Sequence, residues 1–188
     1  MAEAKKKGVK YWLDRYFVQA MSAMALGLFS SLIIGLIISQ IGKIAGLDFL
    51  LQISDVLSAS SPVVGAAIGV AIAWGLKEKP LVVFSCAAVG ALGYNLGGPV
   101  GAYVAATVGA EIGQLVAGKT PVDIIVTPIV TILSGGIIAI LVGSPINGFM
   151  TWLGQVIMDA TELAPLPMGI IISVIIGMAL TAPISSAA

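Results

Sequence analysis

Apolar runs of helical length alternate along the chain with short charged or glycine-proline breaks. The clearest lies at 118–145, a charged turn followed by about twenty apolar residues and the stop Gly143-Ser144-Pro145,. About 20 residues at 1.5 Å each cover a hydrocarbon core of about 30 Å, so this run has the length of one bilayer crossing. A first run at 17–41 follows a basic segment at 1–16 and carries Ala23, Gly27, Ser31, Gly35 and Ser39 at four-residue spacing. A polar-ended connection at 43–55 leads to a second run, 56–76, in which Gly65, Gly69 and Ala73 repeat the spacing before Lys77-Glu78-Lys79-Pro80 ends it,. Stripes of small residues let helix backbones approach closely in lipid, so they predict packing faces, within the chain or against a second copy in a homodimer.

The region 81–117 is too long for one crossing and short for two, and Tyr94-Asn95-Leu96-Gly97-Gly98-Pro99 breaks it in the middle,. It predicts two short or partly re-entrant helices joined at that turn, with Asn95 as a candidate site residue at the break. The second of these helices has two unlike faces. Gly101, Ala105, Gly109 and Gly113 fall on one side, and Tyr103, Thr107, Glu111 and Gln114 fall almost opposite at about 100° per residue,. Glu111 lies well inside an apolar run, where a carboxylate marks a functional site facing a cavity or partner. The competing reading is a snorkelling or hydrogen-bonded Glu within two turns of the helix end.

After 145, Phe149, Trp152, Leu153, Val156, Ile157 and Ala160 recur at helical spacing, with Thr151, Gln155 and Asp159 on the other face. This predicts a short amphipathic helix at 147–160 lying in the membrane interface or against the protein's own surface. Pro165 and Pro167 open a last apolar run at 168–180, which passes into the small, proline-broken 181–188. That final sequence reads as a point inside a longer chain. The pattern as a whole predicts an all-α fold, a polytopic transmembrane helical bundle over 17–188 with about six membrane segments and one interfacial amphipathic helix. Lys5, Lys6, Lys7, Lys10, Arg15, Lys77, Lys79 and Lys119 then all fall on one side and Lys43 alone on the other, which makes 1–16 cytoplasmic,.

The composition agrees with lipid as the main solvent. The chain is 59% hydrophobic and 10% charged with a mean hydropathy of +1.09, where a soluble domain is about 45–50% apolar and about 25% charged. Nine Lys+Arg against nine Asp+Glu give no electrostatic footprint for nucleic acid,. Histidine is absent, which excludes a phosphoryl-carrying His. The one cysteine, Cys86, sits in an apolar run, so neither a disulfide framework nor a Cys/His metal site can be built, and Cys86 reads as a packing residue,. Paired carboxylates sharing a helix face are missing too: Asp48 and Asp55 lie in a connection, Asp123 opens a span, and Asp159 and Glu162 are interfacial,. No catalytic residue, metal or cofactor is predicted.

Three stretches resemble the enzyme IIC channel subunits of bacterial sugar phosphotransferase systems, in the branch with perfringolysin O regulator-like proteins. The run 127–136, TPIVTILSGG, ending in Val142-Gly143-Ser144-Pro145-Ile146, is similar to the family's proline-led span with its glycine-proline stop. The stretch 149–162 resembles the helix that follows it, and 177–187, GMALTAPISSA, resembles the proline-broken loop at the sugar site of fructose-type channels. The resemblance implies the N-terminal half of a bacterial inner-membrane channel domain that holds a sugar-like solute midway across the bilayer while soluble phosphotransferase subunits donate the phosphoryl group. It implies that Thr181, Pro183, Ser185 and Ser186 line the substrate side of a broken helix, where freed backbone groups face a cavity. The function expected is a channel or permease subunit that binds and translocates a sugar or related polar solute. The alternative is a non-transporting membrane sensor or regulator with the same fold, and a third reading is the substrate-capturing subunit of a vitamin importer.

Overall fold

The first helix, α1, begins with Val9–Leu13 and continues unbroken to Ile34–Ala45. It is π-helical over Asp14–Ala20 and again over Phe29–Ile33. The structure, a computed structural model, describes residues 9–163, 167–174 and 177. The helix therefore starts eight residues before the run predicted from hydropathy, inside the basic segment, where Arg15 and the Tyr16 carbonyl are held by Glu111 and Tyr103. Gly46, at φ +66°, ends it in the left-handed conformation that glycine adopts freely,.

The connection predicted at 43–55 is not a loop. It contains a second helix, α2 (Asp48–Val56), folded back on the end of α1 so that Gly42 meets Leu50 and Leu51. Correspondingly, the second apolar run yields a helix only at α3 (Pro62–Gly75), since the Ser61 side chain accepts a hydrogen bond from the Val63 N–H at 3.2 Å and Pro62 takes the first helical position,. Its 14 residues reach about 21 Å, less than a hydrocarbon core.

Pro80–Val116, α4, is two helical limbs folded into a hairpin. Gly97 (φ −142°, ψ 18°) and Gly98 (φ +61°, ψ −156°) leave the helical region, the second in a conformation open essentially to glycine alone,. Contacts across the turn prove the reversal. The Cys86 Sγ lies 3.9 Å from the Ala106 carbonyl oxygen, the Lys79 N–H donates to the Gln114 side chain at 3.3 Å, and the Lys79 ammonium reaches the Ala117 carbonyl. The break predicted at 94–99 is thus where the chain turns.

The last long helix, α5 (Asp123–Leu163), contains Pro128 and Pro145 and passes through both. The stop predicted at Gly143-Ser144-Pro145, and with it a separate interfacial helix at 147–160, is corrected accordingly. A proline removes one backbone hydrogen bond, and neighbouring groups can restore it in a membrane helix. In that stretch Phe149 and Trp152 are more than half exposed.

Neighbours in sequence pack antiparallel. Gly27 meets Ala67 and Ala71 between α1 and α3, Gly65 meets Tyr94 between α3 and the first limb of α4, and Gly113 meets Thr131 between the second limb and α5. A methyl group on Gly27 would lie 2.8 Å from the Ala67 carbonyl oxygen, and one on Gly93 would lie 2.7 Å from that of Gly101. The predicted small-residue stripes are therefore consumed by packing inside the chain. Among the described residues three helices are long and apolar enough to cross a membrane, Lys10–Ala45, Pro80–Val116 and Asp123–Asp159. The fold class is a transmembrane helical bundle, its outside carrying Phe84, Ile124 and Leu141 where a soluble domain would carry charge,.

Candidate functional site

The antiparallel order brings the start of α1, the α3–α4 turn, the end of α4 and the start of α5 to one end of the bundle. Arg15 lies there on the first π-helical stretch of α1, a distortion that often accompanies functional positions,. Its Nε donates to Glu111 Oε1 at 2.7 Å, its Nη2 donates to Glu78 Oε1 at 2.7 Å, and its Nη1 donates to the Leu76 carbonyl oxygen at 3.2 Å. One guanidinium thus ties three elements together, using the planar fork that lysine lacks. The Glu78 side chain is 1% exposed, that of Arg15 16% and that of Glu111 29%.

The turn that presents Glu78 is tight. Lys77 stands at φ +61°, a left-handed conformation uncommon for a residue with a side chain, and the Glu78 N–H donates back to the Ala73 carbonyl at 3.1 Å,. Glu78 lies in this turn, outside the spanning helices, and its carboxyl is pushed up to about 7 by burial and by the negative Glu111, with Arg15 pulling the other way,.

The two faces predicted for the helix after Pro99 are real. Gly101 meets Gly93 of the first limb, and Gly109 and Gly113 meet α5, while Tyr103, Glu111 and Gln114 bond to Tyr16, Arg15 and Lys79. Thr107 on the polar side has a buried hydroxyl without a partner among the described residues. Glu111 is therefore an ion-paired carboxylate near its helix end. Asn95 is exposed beside the hairpin turn at the opposite end, on the order of 18 Å away along the second limb,. The structure does not bring these two candidates together. Thr181, Pro183, Ser185 and Ser186 lie outside the described residues.

A groove of about 960 Å³ runs between α1, α3 and the first limb of α4, walled by Gly27, Ala67, Val70, Trp74 and Phe84, with Glu78 as its one ionisable residue. Arg15 and Glu78 were not singled out as site residues by sequence, where they served as an orientation charge and a helix stop. The signal that could have found them is a lone arginine nearly two turns into a helix that begins at Val9,. Among the described residues no group of three or more His, Cys, Asp or Glu stands together as metal ligands do.

A sequence model of one family, "Phosphotransferase system, EIIC", matches residues 18–188. The chain belongs to that family. As an EIIC protein it is a membrane protein with a transporter-like role, which the apolar helices described above accommodate. No curated protein and no solved structure matches it.

Proposed function

We propose that this EIIC chain is the membrane-embedded part of a sugar permease, binding a sugar or related polar solute within the bundle and working with soluble phosphotransferase subunits on its cytoplasmic face. The observation that carries the reading is the family match over residues 18–188. The N-terminus lies in the cytoplasm, because Lys10, Arg15, Lys77, Lys79 and Lys119 share one end of the bundle and Lys43 stands at the other, and positive charge is retained inside,. Glu111, Asn95, Thr181, Pro183, Ser185 and Ser186 remain the residues proposed to meet solute, and the homodimer proposed would use a face other than the small-residue stripes, which pack within the chain.

The test is uptake of labelled sugars by bacteria with and without the gene, in a strain supplying the soluble phosphotransferase proteins. Uptake of at least one sugar that depends on the gene is the expected result. Equal uptake across a broad panel would remove the permease reading. If transcription changed on deletion while uptake did not, the regulator would take its place.

A further inference from the structure

Two carboxylates share one guanidinium at the charged end of the bundle, and the more deeply buried of them, Glu78, is almost wholly covered at the edge of the apolar groove. Arg15 carries one positive charge, Glu78 and Glu111 carry two negative ones when both are ionised, and Glu78 is 1% exposed. The surrounding charges do not make up the difference. The Lys79 ammonium is directed to the Ala117 carbonyl, Asp123 accepts from the Gly118 N–H and the Thr127 hydroxyl at 2.6 Å each, and Lys77 and Lys119 are exposed. Tyr16 and Tyr103 meet beside the triad through the Tyr103 hydroxyl and the Tyr16 carbonyl, and they add no charge at neutral pH,.

We propose that Glu78 is a proton-binding site whose occupancy latches α1 onto the α3–α4 turn through Arg15. With the proton bound, Glu78 is neutral and still accepts the Nη2 hydrogen bond, and Arg15 pairs one-to-one with Glu111. Once the proton leaves to water, a buried carboxylate faces a second carboxylate across a single cation. The relief open to it is hydration, which requires the start of α1 to lift from the turn. Two features of the fold make that movement local. The π-helical stretch Asp14–Ala20 is a place where the helix can re-register, and Lys77 holds the turn in a conformation that relaxes when Arg15 releases the Leu76 carbonyl,.

The pH direction follows from the raised carboxyl. A group protonated more readily in the latched than in the open state stabilises the latched state fully below its ordinary value of 4.5, and that contribution is lost as pH rises through about 7,. The proposal is independent of whether the chain moves sugar, since it concerns the position of α1 alone.

Hydrogen exchange of the backbone over residues 9–20, in the full-length protein purified in detergent and corrected for intrinsic pH dependence, tests it. In the wild type, protection is expected to fall about tenfold between pH 5.5 and pH 8.5. Glu78→Gln, which copies the protonated carboxyl, is expected to stay protected across the range. Arg15→Lys keeps the charge but cannot bridge both carboxylates and the Leu76 carbonyl, and is expected to be unprotected at both ends. Glu111→Gln removes the competing negative charge and is expected to move the midpoint to lower pH. A wild type without the step, or a Glu78→Gln variant that keeps it, would overturn the proposal.

Discussion

At the scale of single residues, the glycines separate into those that are required and those that are free. A methyl on Gly69 would lie 2.9 Å from the Gly90 Cα and run into the Cys86 carbonyl, both backbone, so two helices would have to part. On Gly136 the nearest atom is the Leu92 Cδ2 at 3.5 Å, an ordinary contact. Gly69→Ala is therefore expected to destabilise the bundle by about 1–3 kcal/mol as overpacking does. Gly136→Ala is expected to be neutral or to stabilise by about 0.5–1 kcal/mol through helix propensity. Unfolding in a mixed detergent series distinguishes them, and equal losses would mean that the close approach of α3 to α4 is not as described. The four-residue spacing of Gly65 and Gly69 was legible in the sequence as a packing device, yet the identity of the partner was not. Spacing reports a face and says nothing of what lies opposite. For the same reason Glu111 was visible as an acid in an apolar run while Arg15, 96 residues away, was not visible as its partner.

At the scale of elements, hydropathy located the runs and local stereochemistry set their ends. The turn at 94–99 was readable because two glycines followed by proline cannot all continue a helix, and Gly98 does take a conformation closed to other residues,. Pro145 misled because the same rule is weaker in a membrane, where the lost bond can be replaced. The short α2 escaped notice because Asp48 and Asp55 look like loop charges when their neighbours on the fold are unknown. The hairpin itself makes a sharp prediction. Cysteines replacing Lys79 and Gln114, which meet across the hairpin, are expected to cross-link efficiently with a short bis-maleimide, whereas a straight helix would hold them about 50 Å apart,. Failure to cross-link in a folded protein would exclude the hairpin.

At the scale of the whole molecule, the antiparallel order turns a scattered set of basic residues into an asymmetry between two ends. If that asymmetry orients the chain, a membrane-impermeant maleimide is expected to label Lys43→Cys in intact cells and Lys119→Cys only after permeabilisation, with the buried Cys86 silent in both,. The reverse pattern would place the N-terminus outside. The π-helical stretch at Phe29–Ile33 has its own bearing on the assembled bundle. Four residues at about 100° each overshoot a full turn by about 40°, so a stripe from Ala23 to Ser39 on a uniform α-helix would wind some 160° around its axis. A π-turn absorbs one extra residue and sets the phase back by about 100°, which returns Gly35 and Ser39 to the meridian occupied by Ala23 and Gly27. The chain thus carries a vernier correction of one residue. Deleting one position of 29–33 other than Ser31 would let the turn close as ordinary α-helix with Ile34–Ala45 still in phase, whereas deleting Leu26 with the π-turn intact would swing Ile34–Ala45, and α2 with it, by about 100°,.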